Sequence, residues 1–323
     1  MDCTVCKVLL TVIRFIEGIF DKRYSLWPSL IFRTMIWYKR QLRCVKVKYI
    51  EKDGYRFCYF SRGKPGRQPS MLMLHGFSFN KDMWLNAVKH FPTNIHIVCL
   101  DMPGHGETTR LLAENYTAID QAKKIHQFVE WIGLNKKPFH LVGMSMGGMV
   151  AGLYAAQYPS EICALSLICP PGLQYATENE FIRRLKELRQ SANAHENPLV
   201  LLTVQQGEDL LRLGLYHPNK INMQVGFVSA SLLLYREDFL DISSPKSKYS
   251  LHDNMDKIKA PTQIIWGKND QVIDPSGAEI LTNAVADSQV HMVEKCGHFI
   301  VLDRPRRSAK LLLEFYQSIC GPE

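Results

Sequence analysis

Residues 139–148 read FHLVGMSMGG, an apolar run that gives way to small residues around one serine. The pattern G-x-S-x-G is typical of a nucleophile elbow, a sharp strand-to-helix turn that exposes a serine hydroxyl. Gly143 and Gly147 suit this turn, because the strand and the helix approach too closely there for side chains. A serine hydroxyl is a poor nucleophile unless a base can reach it. The stretch therefore predicts a strand, a turn that presents Ser145 and a helix, and it indicates serine-hydrolase chemistry.

A nucleophile elbow requires an acid and then a histidine later in the chain, each in a loop after a strand. The β-rich run Thr262–Gly267 stops at a glycine, and Asp270 follows it in the predicted loop. A side chain there can face the carboxyl end of the sheet, so we favour Asp270 as the acid. Asp274 lies four residues further on, before a proline, and is the alternative acid or a turn residue.

His298 is the predicted general base. It follows Gly297 in a turn between a β-rich run at 289–293 and an amphipathic helix that Pro305 helps to start. For a lone Gly-His pair, a histidine that caps a turn would be the better interpretation. After a matched elbow and acid, the chain order favours a triad in which His298 takes the serine proton.

The oxyanion hole is predicted from residues 71–78, which read MLMLHGFS. They indicate a strand that runs into a His-Gly turn before the nucleophile. In this geometry the backbone N–H groups of Phe77 and Met146 point at the oxyanion that develops during ester cleavage. His75 is interpreted as a brace for the turn.

Five motifs together resemble the α/β-hydrolase superfamily: HGFS at 75–78, DMPGHG at 101–106, GMSMG at 143–147, GKND at 267–270 and GH at 297–298. The resemblance implies an α/β fold with a mostly parallel central sheet, helices on both faces and an inserted helical lid. The alternation of strand and helix patterns also predicts such a sheet. In this superfamily the DMPGHG turn usually braces a loop, so Asp101 and His105 are expected to be structural.

Four further segments, at 81–84, 125–130, 134–143 and 254–259, are similar to membrane-associated monoacylglycerol lipases within that superfamily. The similarity implies hydrolysis of long-chain acyl esters, with monoacylglycerols first and lysophospholipids as further candidates. Because one fold hosts many chemistries, two alternatives stay open. One is a small-ester or carbon–carbon bond hydrolase of the same fold, and the other is a membrane pseudo-hydrolase that only binds a partner.

Four segments are expected along the chain: an N-terminal membrane-associating segment over 1–44, a first part of the hydrolase core over 45–171, a lid or cap insertion over 172–258 and a second part of the core over 259–323. Helical and irregular patterns replace strands in the insertion. Its apolar residues suit an acyl-chain pocket, and ordinary helix packing explains them equally well.

Positive charge is concentrated at the N-terminus. Residues 1–50 contain ten Lys or Arg and three acidic residues, so they carry seven of the chain's eight net positive charges. The nearly neutral remainder argues against a nucleic-acid binder. The basic excess follows the apolar run at 8–20, and by the positive-inside tendency the catalytic domain faces the cytoplasm. An endomembrane such as the endosome, lysosome or endoplasmic reticulum fits this arrangement.

Charges interrupt the apolar run at 8–20. A membrane-spanning helix needs about 20 residues with few charges. Lys7, Arg14 and Asp21 recur every seven residues and stack on one helical stripe, which favours a helix lying in the membrane interface. A spanning helix, as the resembled lipases imply, and a helix packed on the protein's own lid are the alternatives. Cys3 and Cys6 are candidates for palmitoylation or have no role.

No cofactor or metal is implied by the sequence. The histidines are dispersed, no His-Glu-x-x-His motif occurs, and Gly147 and Gly148 belong to the elbow rather than to a phosphate loop. The nine cysteines are scattered, which fits a reduced compartment without a disulfide framework. The expected partners are a lipid ester substrate and a membrane surface, and no pattern sets an oligomeric state.

Overall fold

Eight strands form one sheet in the computed structural model, which describes residues 26–111, 114–176, 180, 181, 183, 204–217 and 249–320. The strands are β1 (Lys46–Lys52), β2 (Tyr55–Arg62), β3 (Met71–Leu74), β4 (Ile97–Leu100), β5 (Phe139–Met144), β6 (Ile162–Ile168), β7 (Thr262–Gly267) and β8 (Ser288–Val293). They lie in the order β1-β2-β4-β3-β5-β6-β7-β8. β2 is antiparallel to β1 and β4, and the other pairs are parallel. The predicted mostly parallel sheet is confirmed.

The α-helices of the described residues are α1 (Leu26–Leu42), α2 (Leu85–Val88), α3 (Ala118–Ile132), α4 (Met146–Gln157), α5 (Val204–Gly214), α6 (Gly277–Ala284), α7 (Ile300–Asp303) and α8 (Pro305–Cys320). Short 3-10 helices lie at Lys81–Trp84, Leu134–Lys136, Pro159–Glu161 and Met255–Lys257. In α3, the Thr117 side chain accepts the Asp120 N–H at the start, and Gly133, with φ 66°, ends the helix. These residue types favour a helix start and a helix stop.

Helices cover both faces of the sheet, as two residues of β5 demonstrate. The His140 ring packs against Tyr316 of α8, with ring centroids 6.1 Å apart. Gly143 faces the other way, because a Cβ there would lie 2.8 Å from the Ala151 Cβ of α4. Side chains alternate between the two faces along a strand, so α4 and α8 lie on opposite sides. Every residue of β3, β4, β5 and β7 is buried, as expected for a parallel sheet covered on both faces.

The strand order reverses beside β3, which lies between β4 and β5. In parallel α/β sheets such a switch point opens a crevice at the carboxyl ends of the strands, where ligands bind. The turns after β3 and β5 flank this point, and the loops after β7 and β8 end at the same edge. The topology therefore brings the turns that carry the predicted site residues to one edge of the sheet.

The C-terminal end of α1 is docked on the core. Arg40 donates its Nε and Nη2 to the two carboxylate oxygens of Asp82, at 2.8 and 2.6 Å. Such a bidentate pair fixes both distance and orientation. Ile36 is buried, and Arg43 donates to the Leu85 carbonyl at 3.0 Å. The predicted membrane-associating segment thus ends in a helix that is fastened to the turn after β3.

Several predictions for the N-terminal segment and for the insertion fall on residues outside the described ranges. The apolar run at 8–20, with Cys3 and Cys6, is among them, and so is most of the segment 172–258. In the ranges that the structure describes, no helix has the length and apolar content needed to cross a bilayer. The predicted insertion leaves the sheet after β6 and returns at β7, and these two strands are hydrogen-bonded neighbours.

The ring of His140 makes stability depend on pH. It is fully buried, with Nε2 2.8 Å from the Ser166 hydroxyl, and burial lowers its pKa to about 3. In the unfolded chain the pKa of a histidine is about 6.5, so between these values only the unfolded state binds the proton. Stability is therefore lost as the pH falls below about 6.5, with a slope of up to about 1.4 kcal/mol per pH unit for this group.

We expect urea unfolding between pH 7 and pH 4.5 to show this acid loss in the wild type and a shallower slope in His140→Gln. The glutamine side chain can still bond with Ser166 but cannot take up the proton. Burial also lowers the pKa of His75 to about 4 and that of His105 to about 3, so the variant keeps part of the slope. Equal slopes in the two proteins would contradict the assignment to His140.

Candidate active site

Ser145 lies between β5 and α4 in a strained backbone conformation, with φ 54° and ψ −125°. The turn is tight: a Cβ on Gly143 would lie 2.1 Å from the Gly147 carbonyl oxygen, and one on Gly147 would lie 2.5 Å from the carbonyl oxygens of Leu74 and His75. No side chain fits at either glycine, as the sequence predicts. Positive φ at a non-glycine residue costs of order 1–3 kcal/mol and is held by the surrounding structure.

The structure brings Ser145, His298 and Asp270 into one hydrogen-bonded chain. His298 Nε2 lies 2.9 Å from Ser145 Oγ, and His298 Nδ1 lies 2.7 Å from Asp270 Oδ2. Because a carboxylate only accepts, Nδ1 carries the hydrogen and Nε2 is left to accept the serine proton. Asp270 is itself fixed, since its Oδ1 accepts the N–H groups of Val272 and Ile273 at 2.8 and 2.9 Å. The arrangement matches the geometry of a catalytic triad.

Asp274, the alternative acid, lies in a turn and points elsewhere. Its Oδ1 accepts the Ser276 N–H at 2.9 Å, two residues along the chain. This is the local bond by which aspartate stabilises turns. Of the two candidate acids, the structure therefore places Asp270 beside His298.

The turn after β3 lies directly against the nucleophile. A Cβ on Gly76 would be 3.2 Å from the Ser145 Cβ. Phe77 follows Gly76, and Met146 follows Ser145 as the first residue of α4; both side chains are buried. The two residues predicted to supply the oxyanion N–H groups thus belong to segments that adjoin the serine.

His75 stabilises this turn through two hydrogen bonds of its ring. Its Nδ1–H donates to the Gly76 carbonyl at 2.7 Å, and its Nε2 accepts the Met102 N–H at 2.9 Å. Burial keeps the ring neutral, with the pKa lowered to about 4. The Gly76 carbonyl belongs to the same peptide plane as the Phe77 N–H, so the bond from His75 fixes the direction of that N–H. His75 has the position of the brace that the sequence indicates.

A buried ion pair reinforces the same turn, and no pattern in the sequence indicates it. Lys81 Nζ lies 2.7 Å from Asp101 Oδ2, and the Lys81 N–H donates to Asp101 Oδ1 at 2.7 Å. Burial alone would lower the pKa of Lys81, but Asp101 and Asp82 beside it raise that pKa. Asp101 also accepts the Glu107 N–H at 3.0 Å. These contacts agree with the structural role expected for Asp101.

Within the described residues, two clusters combine groups that can ligate metals. One contains Cys169, Asp270 and His298, and the other contains Cys58, Asp101 and Glu107. In the first cluster Asp270 and His298 bond to each other, and burial raises the pKa of the Cys169 thiol well above its usual range. In the second, Asp101 is bound by Lys81, and burial raises the pKa of Cys58 to about 12. In both clusters the carboxylate already has a partner within the protein, His298 in the first and Lys81 in the second.

A family model described as alpha/beta hydrolase fold matches residues 69–305, which is most of the chain. The chain belongs to the α/β-hydrolase family. The predicted resemblance is therefore confirmed, and so is the fold class. The strand order, the elbow and the position of the triad at the switch point are all consistent with an α/β hydrolase.

The relatives within the α/β-hydrolase family include lipases. The chain is 52% identical over 309 residues to monoacylglycerol lipase ABHD6 of Rattus norvegicus, covering 94% of this chain and 92% of the relative. For the Homo sapiens protein of the same name, the identity is 52% over 305 residues, with 93% and 90% covered. Among solved structures, a membrane phospholipase A described as a bacterial virulence factor matches with a TM-score of 0.81, 26% identity and 100% of both chains covered.

Proposed function

We propose that this α/β hydrolase is a serine hydrolase that cleaves long-chain acyl esters, with monoacylglycerols as its main substrates. The observation that carries the chemistry is the chain of hydrogen bonds from Ser145 Oγ through His298 to Asp270, at 2.9 and 2.7 Å. The substrate class is supported by relatives about half identical in sequence that are named monoacylglycerol lipases. Lysophospholipids are further candidates, supported by the structural match to a phospholipase A.

The proposed reaction proceeds through an acyl-enzyme. His298 Nε2 takes the Ser145 proton while Oγ attacks the ester carbonyl, and Asp270 stabilises the imidazolium that forms. The N–H groups of Phe77 and Met146 bind the oxyanion. His298 then returns the proton to the departing glycerol oxygen, which leaves an acyl-serine. A water molecule activated by the same histidine releases the fatty acid and restores Ser145.

The test is release of glycerol and fatty acid from 1- and 2-monoacylglycerols in detergent micelles, compared with turnover of a water-soluble short ester. Protein inactivated with a fluorophosphonate serves as the blank. We expect a higher kcat/KM for the long-chain monoacylglycerols than for the short ester, and no release in the blank. Turnover confined to the short ester would replace the proposal with a small-ester hydrolase. Folded protein with neither labelling nor turnover would leave a binding partner without catalysis.

We further infer that the enzyme works at the cytoplasmic surface of an endomembrane. Trp37 and Leu42 of α1 are each 58% exposed, and Arg33 on the same helix is exposed as well. Exposed aromatic, apolar and basic side chains on one helix suit the depth of lipid headgroups. Flotation of the full chain with anionic vesicles tests this inference, and protein that stays at the bottom of the gradient at low salt would contradict it.

A further inference from the structure

The end of α5 is joined to the loop that carries His298. The Phe299 N–H donates to the Gly214 carbonyl at 2.9 Å. The carboxylate of Asp303, in α7, completes the junction: its Oδ2 accepts the Tyr216 N–H at 2.8 Å and the Gly297 N–H at 3.1 Å. Gly297 and Phe299 are the two chain neighbours of His298. The predicted general base is therefore held on both sides by bonds that involve α5 or Asp303.

The two segments at this junction approach as closely as backbones can. A Cβ on Gly297 would lie 2.5 Å from the Gly214 carbonyl oxygen, and one on Gly214 would lie 2.2 Å from the Phe299 ring. No side chain can be added at either glycine without moving the loop. The Phe299 ring in turn packs edge-on against Phe79 of the turn after β3, with centroids 5.0 Å apart. The junction thus reaches both the base and the turn predicted to bind the oxyanion.

Asp303 is suited to hold this junction. It is 1% exposed, and one of its oxygens receives an N–H from each of the two segments. Hydrogen bonds to a carboxylate are stronger than those between neutral groups. Without the carboxylate, the N–H groups of Gly297 and Tyr216 would lose their acceptor, and the loop would have fewer bonds to fix it.

We propose that Asp303 is a positioning residue that fixes the His298 imidazole by linking its loop to the end of α5. Turnover therefore requires that this part of the inserted segment is correctly placed against the loop. Asp303 accepts the Gly297 N–H and therefore acts on the base through the backbone beside His298. The inference rests on the proposed Ser145, His298 and Asp270 chemistry. It adds that α5, which lies between β6 and β7 in the sequence, controls the position of His298. A displacement of about 1 Å is enough to disrupt proton transfer by this base.

The experiment compares Asp303→Ala with Asp303→Asn and with the control Gln263→Ala. Gln263 is also 1% exposed and makes a buried bond to a backbone group, the Leu311 carbonyl at 3.0 Å, away from the carboxyl edge of the sheet. Each protein is assayed for kcat and KM on a monoacylglycerol and on a short p-nitrophenyl ester, for the rate of fluorophosphonate labelling and for its urea midpoint. All assays are run well below the unfolding temperature.

We expect Asp303→Ala to lower kcat on both substrates and the labelling rate about 100-fold, with KM changed less than about threefold. The Asp303→Asn protein keeps an oxygen that can accept both N–H groups and is expected to recover most of that loss. The Gln263→Ala protein should lose stability but keep its kcat. If Asp303→Ala does not fold, Gly214→Ala provides the same test from the α5 side, because its Cβ displaces Phe299.

Folded Asp303→Ala or Gly214→Ala protein with a wild-type kcat would overturn the inference. An equal loss of kcat in Gln263→Ala would do so too, because it would reduce the effect to stability alone. The proposed substrate class is judged separately, by whether the wild type prefers the monoacylglycerol. If the wild type turns over only the short ester, the ratios on that ester still decide the role of Asp303.

Discussion

Ser145→Ala is expected to lower kcat for ester hydrolysis about 10⁶-fold and to abolish labelling by a fluorophosphonate. The change removes the oxygen that lies 2.9 Å from His298 Nε2, so no covalent acyl-enzyme can form. The oxyanion donors and the binding surface remain, which explains why a residual rate above that of water is expected. The loss of kcat is measured as product release by the purified variant relative to the wild type. A loss smaller than about 100-fold would contradict a nucleophilic role for Ser145.

The strained backbone of Ser145 supplies a matched variant for this experiment. Alanine keeps a Cβ at φ 54°, whereas glycine adopts positive φ at little cost. Both Ser145→Ala and Ser145→Gly lack the nucleophile and should be equally inactive. We expect the glycine variant to be the more stable of the two by about 1 kcal/mol, the net of relieved strain and greater unfolded-state freedom. Urea unfolding checks the order, and a less stable glycine variant would show that the relieved strain is smaller than the cost of the added unfolded-state freedom.

Asp270→Asn is expected to lower kcat about 10⁴-fold while leaving the fold nearly unchanged. The reason lies in the two oxygens of the carboxylate. Oδ1 accepts the N–H groups of Val272 and Ile273, so the asparagine oxygen must stay on that side. The amide NH₂ then faces His298 Nδ1, which must give up its hydrogen and become an acceptor. The hydrogen moves to Nε2, where it blocks transfer of the Ser145 proton.

Asp274→Asn is the control for this prediction, because it makes the same chemical change four residues away. Among the contacts that the structure describes, the carboxylate of Asp274 bonds to the Ser276 N–H, and an asparagine oxygen can accept that bond. We expect its kcat to stay within about threefold of the wild type. Steady-state assays of both variants on one ester decide the matter. A larger loss in Asp274→Asn than in Asp270→Asn would identify Asp274 as the acid instead.

Local sequence patterns were enough to predict the fold class and to select the residues that meet in the structure. Each of Ser145, Asp270 and His298 follows its own predicted strand, and the parallel strands of one sheet end at the same edge. Gly143 and Gly147 also predicted that the chain turns sharply at Ser145. Such signals lie within a few residues of the side chain concerned, so they can be recognised without knowing which strands pair.

The bonds that hold these residues in place could not be predicted in this way. Lys81 and Asp101 follow the neighbouring strands β3 and β4, and Asp303 receives a bond from Tyr216 in a distant part of the chain. No spacing or motif connects such partners, because their contact is created by the tertiary fold. Arg40 illustrates the same limit, because no nearby sequence pattern identifies Asp82 as the partner of its guanidinium.

Because β6 and β7 are parallel, the stretch 169–261 leaves at the carboxyl edge of the sheet, beyond Ile168, and returns at the amino edge, where Thr262 lies opposite Leu165. Relatives that keep both strands could exchange this stretch as a cassette, since the entropic cost of a longer connection grows only slowly with its length. The exchange is not unconditional. Any incoming cassette must bring one carbonyl to Phe299 and one N–H to Asp303, as Gly214 and Tyr216 do here. Evolution of new substrate ranges in this scaffold is thus free in length but constrained at two backbone atoms and at Gly214, where a Cβ would meet the Phe299 ring.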